Sequence, residues 1–76
     1  MEAREEELVR QLADHDSELR ALYEEHLALK RRLDDFRHKL YLTGEEELER
    51  KRIQKLKLAS KDRMMAIVWR HQHQAP

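Results

Sequence analysis

The residues of this chain that could do chemistry are its histidines, and His26 is the most informative of them. It lies in the stretch ALYEEHLALKRRL, where Leu22, Leu29 and Leu33 follow the spacing of one helix face. An imidazole can serve as a general base, but catalysis also needs a nucleophile, an orienting group and a pocket that excludes water. Apart from two tyrosines, the hydroxyl residues are Ser17, Thr43 and Ser60. None of them follows the pattern of a strained nucleophile turn, so we predict a protein that is not an enzyme and has no catalytic or cofactor-binding residue.

His71 and His73 could suggest a metal site. On a helix, residues two apart point about 200° away from each other, so these two imidazoles cannot chelate one ion. A protein metal site needs three or four well-placed ligands, and the chain has no cysteine to supply thiolates. We therefore predict that there is no metal site.

We interpret His26 as a packing residue that fixes the register of two paired helices, with Asp62 as its candidate hydrogen-bond partner. A polar residue in an apolar seam lowers stability but can specify one register. His15 interrupts the same apolar pattern, and we interpret it as structural too. An alternative is a pH response through His15 or His26, because imidazole titrates near neutral pH.

The element that must hold His26 is a long helix. Apolar residues and two histidines recur at alternating spacings of four and three between residues 8 and 40, which predicts a heptad seam. The seam positions are Leu8, Leu12, His15, Leu19, Leu22, His26, Leu29, Leu33, Phe36 and Leu40. No proline or glycine interrupts this pattern, so we predict one helix over about 2–41.

A turn over 42–44 follows, where the only glycine of the chain lies. Thr43 can cap the next helix, with Glu46 three residues later completing a capping box. Alternatively, Gly44 closes the first helix in a left-handed conformation. We predict a second helix over about 45–70 and a frayed tail over 71–76.

The second helix has two apolar stripes. The first is predicted to complete the hairpin seam and consists of Ile53, Leu56, Ser60, Met64 and Ile67. The second, more than about 100° around the helix, consists of Leu58, Met65 and Trp69. One partner helix can cover only one stripe, so the second is either exposed or buried against another chain. Because Trp and Met are enriched at protein contacts, we predict that it is an interface.

Charge is distributed in blocks, although 16 basic and 16 acidic residues leave no net charge. Residues 1–29 carry a net charge of −6, residues 30–44 of +3, residues 45–49 of −4 and residues 50–70 of +7. Folding at Gly44 places opposite charges along an antiparallel hairpin, whereas a parallel dimer of the first helix gains nothing from its charges. The basic second helix raises nucleic-acid binding as an alternative, which the lack of interleaved aromatic residues disfavours.

Residues in both predicted helices resemble the YdcH-like family of small bacterial proteins, a domain of unknown function. In the first helix, the family pattern aligns with Tyr23, Glu25, His26, Leu29 and Leu33. In the second, it aligns with Lys57, Leu58, Ala59, Ser60, Lys61 and Asp62, followed by Met64 and Ile67. Ser60 and Arg63 depart from the pattern, where the family has an apolar and an acidic residue. The resemblance covers about residues 8–68 and implies a helical hairpin that often self-associates, with no known activity.

Together these patterns predict an all-α single domain over residues 1–76, an antiparallel two-helix coiled-coil hairpin that associates into a multi-helix bundle. With 76 residues, of which 39% are hydrophobic, the chain has little core of its own. We expect a protein–protein interaction or structural module that binds a second copy of itself or another protein. No stretch is apolar enough to cross a membrane and no signal peptide is evident, so a cytoplasmic location is expected.

Overall fold

Three helices form this protein, and no strand occurs in the part of the chain that the structure describes. The computed structural model describes residues 1–74, in which α1 spans Ala3–Ala13, α2 spans Ser17–Arg37 and α3 spans Gly44–His73. The prediction of an all-α fold is confirmed, but three helices pack together where two were predicted. The last two residues of the predicted tail lie outside the described residues. None of the three helices is long and apolar enough to cross a membrane.

The first predicted helix breaks at Asp14, His15 and Asp16. Asp16 has an extended backbone, and its carboxylate accepts a hydrogen bond from the Leu19 backbone N–H at 3.0 Å. Aspartate is favoured at such a position because its side chain satisfies a backbone donor that lacks a partner in the first helical turn. The prediction of one continuous helix was wrong here, since the spacing of apolar residues runs through the break and carries no information about capping.

The segment before the break, α1, folds back against both longer helices. Its buried residues belong to a core cluster to which all three helices contribute, made of Val9, Ala13, Leu19, Leu22, Met64, Ile67 and Val68. The Tyr23 hydroxyl of α2 also donates a hydrogen bond to Glu6 Oε1 of α1 at 3.3 Å. Met65 of the second predicted stripe packs against this cluster. Part of the second stripe is therefore covered by the chain itself, an outcome that neither predicted alternative included.

The two longer helices run antiparallel. Near the loop, Arg32 Nη2 of α2 lies 2.7 Å from Glu49 Oε1 of α3. Farther along, the Ser60 hydroxyl of α3 donates a hydrogen bond to the Leu22 carbonyl at 3.2 Å. A second, smaller core cluster holds the two helices together at the loop end and consists of Leu29, Leu33 and Ile53, with Phe36 partly buried against it.

The start of α3 is capped by Thr43. Its hydroxyl accepts a hydrogen bond from the Glu46 N–H at 3.1 Å, and the Glu46 carboxylate accepts one from the Thr43 N–H at 3.0 Å. The predicted capping box is therefore confirmed. Gly44 is the first residue of α3 and has no positive φ, so the left-handed alternative is wrong.

The predicted ends of the helices need correction on both sides of the loop. α2 ends at Arg37, so Leu40 lies in the loop over 38–43 and is 93% exposed, although it was predicted in the seam. α3 continues to His73, beyond the predicted end at residue 70. The His71 imidazole lies 2.9 Å from Asp16 Oδ2, and this contact holds the last turn of α3 to the start of α2.

Leu56 is the second seam residue that the structure does not bury. It is 45% exposed, at the edge of the α3 stripe that faces α2. Because α1 covers the opposite edge of that stripe, no helix is left to cover Leu56. The other predicted seam residues of the hairpin are buried, apart from the half-buried Phe36, and they are Leu19, Leu22, His26, Leu29, Leu33, Ile53, Ser60, Met64 and Ile67.

Leu19 and Leu40, which the heptad pattern treats alike, are expected to differ strongly in their effect on stability. Leu19 is fully buried, so Leu19→Ala is expected to lower the free energy of unfolding by about 2–5 kcal/mol. Leu40→Ala is the matched control and is expected to change it by less than about 0.5 kcal/mol. Urea denaturation measures both values, and equal losses would contradict the position at which α2 ends.

Candidate functional site

The hydroxyl groups considered as nucleophiles all have structural positions. The Ser60 hydroxyl is buried between α2 and α3 and donates to the Leu22 carbonyl. Thr43 caps α3, and Ser17 is the first residue of α2. No histidine lies within hydrogen-bond distance of these three hydroxyls among residues 1–74.

His26 lies in the contact between α2 and α3 and is 4% exposed. Its Nδ1 is buried and has no hydrogen-bond partner among residues 1–74. Burial lowers the pKa of His26 below its ordinary value, and the Lys57 ammonium acts in the same direction, while a hydrogen bond with the Lys57 backbone opposes them. The predicted partner, Asp62, is exposed and makes no contact with this imidazole. The prediction of Asp62 was wrong because α2 ends early and the loop is longer than a tight turn, which places Lys57 opposite His26.

Three other histidines, His15, His71 and His73, have different surroundings. His15 is exposed in the break, where its backbone N–H donates to the Leu12 carbonyl at 3.0 Å. His71 contacts Asp16, whereas His73 stacks on Trp69 with ring centroids 4.2 Å apart. Within residues 1–74, no group of three or more potential ligands could hold a metal ion.

The Asp16 carboxylate has two structural contacts, one with the Leu19 N–H and one with the His71 imidazole. The pKa of its carboxyl is lowered first by the hydrogen bond with His71 and then by the one from the Leu19 N–H. Both contacts favour the charged carboxylate. Sequence reasoning did not select Asp16, although an Asp followed by a renewed apolar pattern is a known signal for the start of a helix.

The most distinctive surface feature is a set of exposed large apolar side chains. They are Leu40, Tyr41, Leu48, Leu56, Leu58 and Trp69. Of the predicted interface stripe, Leu58 and Trp69 belong to this set, while Met65 is half-buried by α1. Sequence reasoning missed Leu48, which is 69% exposed in the first turns of α3. Its spacing of ten residues from Leu58 is a signal that could have found it.

Trp69 lies between two surface clefts. One cleft is lined by Glu18 of α2 and by Arg63, Ala66 and Arg70 of α3. The other lies between α1 and α3, where Leu8 and Met65 line it together with Trp69. The indole therefore borders a cleft on two sides and is 59% exposed.

The predicted opposition of charged blocks is confirmed at both ends of the hairpin. Arg32 pairs with Glu49 near the loop, and Arg70 Nη2 lies 4.0 Å from Glu18 Oε2 near the other end. The exposed cations of α3 that make no such pair within the described chain include Lys51, Arg52 and Lys55.

A His26→Leu substitution is expected to keep or raise thermal stability and to weaken the response to acid. The pKa of His26 is lowered in the folded state. Below about pH 6.5, the imidazole therefore becomes protonated in the unfolded chain while it stays neutral in the folded chain. Stability contributed by the neutral imidazole is therefore present above that pH and is lost as the pH falls toward the folded-state pKa.

Thermal unfolding of wild type and His26→Leu between about pH 5 and 7 measures this effect. His15→Leu is the matched control, since His15 is exposed in the break and should leave the profile unchanged. An unaltered pH profile in His26→Leu would exclude His26 as the sensor. A large loss of stability would instead indicate a specific buried hydrogen bond.

Comparison with protein-family models, curated proteins and solved structures found no match. The resemblance to the YdcH-like family therefore stays a prediction that is based on the residues of the two helices.

Proposed function

We propose that this chain is a protein-interaction module that self-associates into a larger helical bundle. The observation that carries the proposal is the set of six exposed large apolar side chains on a chain of only 76 residues. Single exposed apolar residues are normal on a protein surface, but Leu48, Leu58 and Trp69 lie on one outward face of one helix. A second helix that packs on this face would remove them from water.

The small core supports the same proposal. It divides into two clusters, and the one at the loop end has only three buried residues, Leu29, Leu33 and Ile53. Chains of this size bury a smaller fraction of their surface on folding than larger domains do, and they often depend on association for stability. We infer that α2 and α3 form a short antiparallel coiled-coil hairpin, whose contact with a second chain adds the apolar burial that the single chain lacks.

A binding role, rather than catalysis, agrees with the positions of the polar groups. Ser60 and Thr43 hold helices in place, and His26 is enclosed between α2 and α3.

Nucleic-acid binding is a second candidate function, favoured by the unpaired cations Lys51, Arg52 and Lys55. Phosphate contacts by lysine and arginine make affinity fall steeply with salt. Against this candidate, the exposed aromatic residues Tyr41 and Trp69 lie far from one another along the chain and form no stacking platform beside the cations.

Sedimentation equilibrium across a hundredfold range of concentration tests self-association. We expect the apparent mass to rise above the 9.3 kDa of one chain as concentration increases. A single species of 9.3 kDa at every concentration would contradict the proposal.

Fluorescence anisotropy with labelled single- and double-stranded DNA at low salt tests the second candidate. We expect no binding by the wild-type protein. If binding is seen and Lys51→Glu together with Lys55→Glu abolishes it, whereas Lys30→Glu on α2 does not, the second candidate replaces the first.

A further inference from the structure

The outward face of α3 carries a continuous pattern of residues that we call the outer seam. Its members are Leu48, Lys51, Lys55, Leu58, Asp62 and Trp69. Successive members are spaced by three, four, three, four and seven residues, so they lie on one face of the helix. Every member is exposed. Met65, which occupies the position between Asp62 and Trp69, is half-buried under α1 at the border of this face.

The outer seam lies on the side of α3 that faces away from the core. Ile53, Ser60 and Met64 define the inner face of α3, and at about 100° per residue the outer seam falls on the opposite side. At 1.5 Å per residue, Leu48 and Trp69 are about 32 Å apart, with Leu58 near the midpoint. The seam therefore occupies most of the length of α3 and has an apolar residue at each end and at its centre.

The fold also separates charge along the length of the molecule, which measures 52 × 19 × 17 Å. Because α2 and α3 are antiparallel and Lys57 lies opposite His26, residues 26–57 form the half that contains the loop, and residues 1–25 and 58–74 form the other half. The loop half has ten basic and six acidic residues and a net charge of +4. The other half has six basic and ten acidic residues and a net charge of −4.

We propose that the occupant of the outer seam is a second copy of this chain, packed antiparallel about a two-fold axis that crosses α3 near Leu58. This inference rests on the self-association proposed above and adds the surface and the orientation. The axis brings the positive half of each molecule beside the negative half of the other. A parallel pair would instead place like charges together along the whole length.

The residues of the outer seam favour the same orientation. Leu48 lies ten residues before Leu58 and Trp69 lies eleven after it, so the antiparallel pair brings Leu48 against Trp69 of the second copy. Lys55 likewise comes close to Asp62 of the second copy. In a parallel pair, Lys55 would face the same lysine and Asp62 the same aspartate, and both contacts would be repulsive.

Disulfide crosslinking of single-cysteine variants can determine this orientation, because the natural chain has no cysteine. Lys51→Cys and Ala66→Cys change two exposed positions that lie at nearly equal distances on either side of the axis, and they leave the apolar seam residues in place. In the antiparallel pair, position 51 approaches position 66 of the second copy. In a parallel pair, each cysteine approaches its own counterpart.

The experiment is disulfide exchange in a glutathione buffer, with the products identified by mass. We expect each variant alone to give little crosslinked dimer, and the equimolar mixture to give the mixed 51–66 dimer in at least about tenfold excess over the two homodimers. High salt should reduce this excess, since charge sets the orientation.

Two further variants locate the surface. Leu58→Glu is expected to lower the association constant at least about tenfold, because it places a charge at the centre of the contact. Leu40→Glu is the matched control, since Leu40 is exposed in the loop outside the outer seam and should leave association unchanged. Loss of association in both variants to the same extent would overturn the outer seam as the contact.

The outcomes separate this inference from the function on which it rests. Homodimers formed by the single variants would show a parallel pair and overturn the orientation, while self-association stands. A dimer in sedimentation that gives no crosslink in any mixture would place the contact on another face and overturn the inference alone. A monomer at every concentration would overturn both.

Discussion

The fold depends on the hydrogen bond from the Leu19 N–H to the carboxylate of Asp16. This bond starts α2 at Ser17 and separates it from α1, although the apolar spacing would continue one helix through the same residues. Because the chain can turn at Asp16, Val9 of α1 folds back and becomes fully buried. The same carboxylate contacts His71, so one side chain joins the start of α2 to the end of α3.

The contact between α2 and α3 has two polar residues at its centre, and they differ in how well they are satisfied. Ser60 donates to the Leu22 carbonyl, which compensates for the burial of its hydroxyl. Burial of His26 favours its neutral form, the charge of Lys57 acts in the same direction, and Nδ1 has no hydrogen-bond partner within residues 1–74. Polar groups inside an apolar contact cost stability but disfavour shifted registers, in which they would meet apolar side chains. We infer that this pair selects one alignment of the two helices.

The exposed apolar face of α3 also depends on the break that separates α1 from α2. With α1 on one side of the hairpin, Met65 is half-buried, and Leu48, Leu58 and Trp69 form a face of α3 that points outward. The antiparallel arrangement also gathers positive charge at the loop and negative charge at the opposite end. Association of two chains would bury the outward apolar face, which adds to the small core, and would bring opposite charges together.

The sequence by itself determined that the chain is helical, that a helix starts at the capping box of Thr43 and Glu46, and that the helices have apolar faces. These features are local, because spacing, capping residues and composition act over a few neighbouring residues. Only the tertiary structure decided that α1 folds back, that His26 lies opposite Lys57, and that Leu40 and Leu56 are exposed. The physical reason is that these outcomes depend on the length of the loop and on contacts between residues far apart in the chain. The spacing of apolar residues is the same for every alignment of the helices, so it cannot select one of them.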